Sequence, residues 1–113
     1  MSGLTTHVLD TMHGCPAAGV ALRLSLGGTV LAQAVTNADG RCDSPLLTGD
    51  RFKAGAYRLE FEIGAYFRGL GAALVQPAFL ETVVIDFGVA EPGAHYHVPL
   101  LVSPFAYSTY RGS

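Results

Sequence analysis

Apolar and polar side chains alternate along most of this chain. Val20, Leu22, Leu24 and Leu26 alternate with Ala21, Arg23 and Ser25. Successive strand side chains point to opposite faces, so this is a strand with one side in a core and one in solvent. Gly27-Gly28 reads as a tight hairpin turn, where glycine takes positive φ at no steric cost, and residues 29–36 read as the returning strand. Tyr57, Leu59, Phe61 and Ile63 alternate in the same way with Arg58, Glu60 and Glu62, whose charges suit a solvated face. Residues 4–11 (LTTHVLDT) set Thr5, His7 and Leu9 on one face and Thr6, Val8 and Asp10 on the other. Residues 82–87 (TVVIDF) form a β-branched strand. Residues 95–102 (HYHVPLLV) turn Tyr96, Val98 and Leu100 toward a core, which leaves His95, His97 and Leu101 side by side on the other face. Ser103-Pro104 breaks that strand, because proline has no amide donor for a ladder, and AYSTYR is β-prone again.

Between these segments lie turns. His13-Gly14-Cys15-Pro16, Asn37-Ala38-Asp39-Gly40 and Glu91-Pro92-Gly93 carry turn chemistry, and Arg41 follows the second directly. Residues 43–55 are irregular, punctuated by Pro45, Gly49 and Gly55, with residues 51–53 as a short edge strand. The period of two lapses at residues 65–71. There Tyr66, Phe67 and Leu70 fit a helical stripe of one or two turns, which its two glycines weaken by ~1 kcal/mol each relative to alanine. Seven or eight short strands at this spacing predict an all-β sandwich interrupted by one short helix.

Composition narrows the functional classes. The 113 residues suit one domain, and half of them are apolar while only 14% are charged. So thin a polar coat predicts burial of surface against other subunits. A net charge of −2 lacks the basic footprint of a nucleic-acid binder. Cys15 and Cys42 make neither a disulfide framework nor a zinc site, so they read as free, partly buried thiols in a reducing compartment. No basic, apolar leader opens the chain, and no apolar run approaches the ~20 residues a membrane helix needs. Together these predict a cytoplasmic protein with no membrane partner.

Four polar features have no evident structural job: His7, Arg41, the His95/His97 pair and the closing Tyr110-Arg111-Gly112-Ser113. Taken singly, each has a plain reading as a satisfied strand histidine, a solvated arginine or a fraying tail. Glu60 and Glu62 read as solvation, and Asp10 and Asp86 as candidates for ion pairs. Taken together the four make a kit for adding water to a carbonyl. Imidazoles titrate near neutrality and move protons. A guanidinium clamps planar edges and stabilises developing negative charge. A serine and a terminal carboxylate can orient water. The nucleophile elbow GxSxG, the HExxH zinc motif and a glycine-rich phosphate loop are all missing. A second reading makes His7, His95 and His97 three zinc ligands. It ranks below metal-free catalysis, because no acidic or cysteine ligand accompanies them.

The stretch 95–113, closing on Tyr110-Arg111-Gly112-Ser113, resembles the signature of the 5-hydroxyisourate hydrolases, the transthyretin-related enzymes of urate breakdown. Residues 4–10 (LTTHVLD) and the Asp39-Gly40-Arg41 turn are similar to that family's other two motif blocks. The resemblance covers essentially all of residues 1–113 as a single transthyretin-like domain. Transthyretin proper, a hormone carrier of the same fold, lacks the ending and the histidine set. The resemblance implies a prealbumin/transthyretin-like sandwich of two four-stranded sheets with one short helix near residues 65–71. It implies a homotetramer, a dimer of dimers, with the active site in a central channel where subunits meet. His7, Arg41, His97 and Ser113 then fall on the catalytic positions. Tyr110 and Arg111 shape the substrate pocket, with His95 a weaker neighbour. The implied reaction is hydrolytic opening of the six-membered ring of 5-hydroxyisourate, without cofactor or metal, to 2-oxo-4-hydroxy-4-carboxy-5-ureidoimidazoline. Two rivals remain at this point. One is a transthyretin-like carrier of a small ligand without chemistry. The other is an immunoglobulin-like structural module, against which the missing secretion signal and disulfide pattern count.

Overall fold

The computed structural model describes residues 2–112. Among these, nine strands and one α-helix follow in the order β1 (Gly3–Asp10), β2 (Cys15–Pro16), β3 (Ala21–Leu26), β4 (Thr29–Val35), β5 (Leu47–Thr48), β6 (Gly55–Glu62), α1 (Ile63–Gly69), β7 (Thr82–Val89), β8 (His95–Val102) and β9 (Tyr107–Thr109). One sheet is antiparallel throughout, in the order β4-β3-β6-β7. The other runs β2-β1-β8-β9, with β5 also on β1. It therefore has five strands where four were expected. The two-residue β5 pairs with the start of β1 and the two-residue β2 with its end, so together they fill one column beside β1.

Leu4 and Val8 of β1, Leu22 and Leu24 of β3, Leu59 and Phe61 of β6, and Val98 and Leu100 of β8 are buried in one core between the sheets. These are the apolar positions of the alternating segments. Burying each such side chain is worth about 1.5–3 kcal/mol. On the solvent face of the antiparallel sheet, Arg23 lies directly across from Glu60, and Arg58 across from Asp86. Both pairs form ion pairs, at 3.0 and 2.8 Å. Glu60 is thus a cross-strand partner rather than mere solvation. Asp86 has the ion pair its strand position suggested.

Three local expectations shift. The helix begins at Ile63, two residues before the expected segment, because Ile63 continues the alternation into the core and the chain then coils over it. It ends before Leu70, which is 55% exposed, and Gly71 turns the chain away at φ +89°. Residues 51–53 are not a strand. Gly49 at φ +57° opens a single 3-10 turn (Gly49–Arg51), and Phe52 drops into the core. Cys15 is exposed rather than partly buried, since β2 is a short rim strand; Cys42 is half-buried, and both thiols are free.

Candidate active site

β1 and β8 lie side by side in parallel, a pairing that places Gly3 beside His95, Thr5 beside His97 and His7 beside Pro99. Since Leu4, Thr6 and Val8 face the core, Thr5 and His7 face out, as do His95 and His97 on the neighbouring strand. The Thr5 hydroxyl meets both imidazoles of β8, lying 2.8 Å from His97 Nδ1 and 3.3 Å from His95 Nε2.

Arg41 arrives from the other side of β1. Between β5 and β2 that edge is open, and the turn over residues 37–41 fills it, so that Arg41 bridges His7. The turn is built by local chemistry. Asn37 Oδ1 accepts the backbone N–H groups of Asp39 at 2.9 Å and Arg41 at 3.2 Å, the self-bonding that makes asparagine a turn former. Gly40 sits at φ +75°, and its carbonyl accepts the Val8 N–H at 2.7 Å. A Cβ there would run into the Val8 carbonyl oxygen, so the close approach of turn to strand requires glycine. The same turn aims the Asp39 carbonyl at His7 Nε2, 2.8 Å away. A carbonyl can only accept, so Nε2 of His7 carries the proton and Nδ1 is its free nitrogen.

On the far side of β8 the chain returns after β9. The Gly112 N–H donates to the His97 carbonyl at 2.7 Å, again with no room for a Cβ, which would press on the His97 ring. Arg41 and His7 thus share one row with Pro99, and Thr5, His97 and Gly112 share the row two residues along, so His7 and His97 are diagonal neighbours on one face. Burial holds the His97 pKa below the ordinary imidazole value, and the charge of Arg41, then His7 and His95, pushes the same way. A neutral His97 is the form that can take a proton. Arg41 makes no ion pair with any described residue, which leaves its guanidinium to a ligand.

The remaining expected residues lie elsewhere. The Arg111 guanidinium stacks 3.9 Å above the Tyr96 ring. With Tyr110 it lines a cavity of about 200 Å³ against Ile85, Phe87 and Val98, on the Tyr96 side of β8 rather than the His97 side. Ser113 lies outside the described residues. Reasoning from the sequence leaves out Thr5, the Asp39 carbonyl and Gly112. Thr5 alone carried a signal, since alternation sets it on the face of His7.

Two other features take no part. Burial, then Asp43, raises the Cys42 thiol, which makes it a poor nucleophile beside Arg41. A concavity of about 850 Å³ lies against β3, β6 and β7, where Arg23, Arg58, Glu60 and Asp86 are already tied in ion pairs. Among the described residues, no three or more of His, Cys, Asp and Glu come together in an arrangement that could hold a metal ion.

Comparison with known proteins supplies the wider context. A 5-hydroxyisourate hydrolase of Mesorhizobium japonicum is 59% identical over 114 residues, covering 97% of this chain and 91% of that protein. The structure of Klebsiella pneumoniae 5-hydroxyisourate hydrolase superposes with a TM-score of 0.85 at 42% identity, over the full length of both chains. A sea bream transthyretin in complex with thyroxine superposes with a TM-score of 0.86 at 37% identity, covering 97% of this chain and 94% of that one. The profile of the HIUase/Transthyretin family matches residues 4–112. With that match spanning the sandwich and the histidine face alike, the chain belongs to the HIUase/transthyretin family.

Proposed function

We propose that this chain is a 5-hydroxyisourate hydrolase, opening the six-membered ring of its substrate at the amide carbonyl to give 2-oxo-4-hydroxy-4-carboxy-5-ureidoimidazoline in urate breakdown. The observation that carries the reading is the grouping of Arg41, His7 and His97 on one sheet face, with Arg41 bridged to His7 and His97 diagonal to it on β8. A relative of 59% identity and a solved structure matched over the full length of both chains bear that activity as their name.

The chemistry follows from the donor set. Water attacks the ring carbonyl while His97, neutral and partly desolvated, takes its proton. Charge develops on the carbonyl oxygen, where Arg41 stabilises it. The tetrahedral species then collapses, the carbon–nitrogen bond breaks, and the ring nitrogen leaves with the proton that His97 returns, which restores the neutral base. His7, its Nε2 proton committed to Asp39, holds the attacking water through Nδ1. Ser113 follows Gly112 directly, and we assign it to the orientation of His97 and the water. Tyr110 and Arg111 are assigned to shaping the substrate pocket, in part from a neighbouring protomer, and His95 to its margin.

The histidine face is open in one protomer, and a homotetramer arranged as a dimer of dimers would close it into a channel. The cytoplasm is the compartment we assign, on the two free thiols. No helix among the described residues is long and apolar enough to cross a membrane.

The likeness to a thyroxine-bound transthyretin makes a non-catalytic carrier the one rival reading. A coupled assay separates them. Urate and urate oxidase generate the unstable substrate, whose ultraviolet band decays slowly by itself. Addition of this protein should shorten that lifetime in proportion to its concentration. A decay unchanged by the protein would leave only the carrier.

A further inference from the structure

Thr5 stands between two imidazoles, and its chemistry restricts how both can be protonated. A threonine hydroxyl has one hydrogen to donate and lone pairs to accept with. Its oxygen lies 2.8 Å from His97 Nδ1 and 3.3 Å from His95 Nε2. Two arrangements satisfy both contacts when the imidazoles are neutral. In one, His97 Nδ1–H donates to Thr5 and Thr5 donates to His95 Nε2, so His97 Nε2 keeps a bare lone pair. In the other the bonds run the opposite way, and His97 Nε2 carries a hydrogen.

The reading of His97 as the base decides between them. Thr5 occupies Nδ1 at 2.8 Å, so Nε2 is the nitrogen left to take a proton from water. Only the first arrangement leaves Nε2 bare.

We propose that Thr5 is a positioning residue that holds His97 in the tautomer protonated at Nδ1 and bare at Nε2, with His95 as the acceptor that ends the chain of hydrogen bonds. The assignment rests on the reading of His97 as the general base. It gives His95 a task that needs no contact with substrate. It also explains why a threonine stands on the outward face of β1 directly across from His97.

The test uses the full-length protein labelled with 15N. Long-range proton–nitrogen spectra, recorded where the imidazoles are neutral, report which ring nitrogen carries hydrogen. Wild type and Thr5→Ser should show His97 protonated at Nδ1. Thr5→Val keeps the shape and β-branching but loses the hydroxyl, so it should show a mixture or the Nε2–H form. In the coupled assay Thr5→Val should lose roughly ten- to a hundredfold in kcat, a part of what a positioned base supplies. Its KM should change by less than about twofold, because a tautomer error acts on the chemical step. Thr5→Ser should recover most of the loss. A wild-type His97 protonated at Nε2, or a Thr5→Val protein with the wild-type nitrogen pattern, would overturn the proposal. If wild type showed no turnover at all, the hydrolase reading would fall, and the nitrogen shifts alone would still decide the role of Thr5.

Discussion

The role proposed for His97 requires it to be neutral when substrate arrives. Burial and then the Arg41 charge lower its pKa, so protonation sets in only below the usual imidazole range of about 6.5. The sign follows for both activity and stability. The neutral form predominates above the lowered pKa, and both turnover and this residue's share of stability fall away as pH drops through it. The acid limb of kcat/KM should therefore lie below the ordinary imidazole value. Replacement of Arg41 by Gln removes a charge from beside the ring, so His97 should titrate at higher pH when followed by NMR, whatever happens to turnover. A His97→Asn protein should fold normally and lose on the order of 10²–10⁴-fold in turnover, measured in the coupled assay. The residues of this face were legible in part. His7, Arg41 and the histidine pair stood out because none had a structural task in a local pattern. Thr5 did not, because a threonine in a strand is ordinary and its hydroxyl gains meaning only once β8 is known to lie beside β1. The backbone carbonyl of Asp39 leaves no trace in side-chain identity, and the glycine at 112 gains meaning only once His97 is known to lie against it.

At the scale of elements, the turn over residues 37–41 is the most exposed to single changes. Gly40→Ala would meet both a left-handed φ and the Val8 carbonyl, a combination that costs on the order of 1–3 kcal/mol. The turn also supplies Arg41 and the acceptor for His7. Gly40→Ala should thus lower the urea midpoint and the turnover together, checked by denaturation and assay on the same sample. A second element-level test concerns the end of β1. Asp10 is 1% exposed and accepts from the Tyr66 hydroxyl at 2.7 Å, the His13 ring at 2.6 Å and the His13 backbone N–H at 2.9 Å. Burial alone would raise its pKa, but these bonds outweigh it and the carboxyl titrates below its usual range. Its contribution is present above the unfolded carboxylate value and is lost as pH falls through the lowered one. Asp10→Asn should cut stability by about 1–3 kcal/mol near neutrality and flatten the acid branch of a stability–pH curve. Strand positions could be read from alternation because each has one wet and one dry face. The helix start could not be read as well, because Ile63 obeys the strand period and the helical one at once. The turn after Thr48 was hidden for a different reason, since Gly49 and the buried Phe52 act through conformation and depth rather than period.

For the whole molecule, the proposed homotetramer should complete the proposed site. Sedimentation equilibrium should give four protomers, and dilution below the assembly range should reduce specific activity. Full specific activity in a monomer would refute a shared site. Deletion of Arg111-Gly112-Ser113 removes one backbone hydrogen bond to His97 and the stacking on Tyr96. It should abolish turnover while moving the melting temperature only slightly. Which strands neighbour one another was the least legible property of all. Nothing local in residues 4–10 or 95–102 says that they pair in parallel.

That pairing has a kinetic consequence. Thr5 and His97 are 92 positions apart along the chain, so their meeting waits for closure of a very long loop. Neither half of the polypeptide can hold the histidine face alone, because β1 and β8 come from opposite ends of the chain. Regain of turnover after dilution from denaturant should therefore follow the slowest step of collapse, lagging behind any early optical signal from the β3–β4 hairpin.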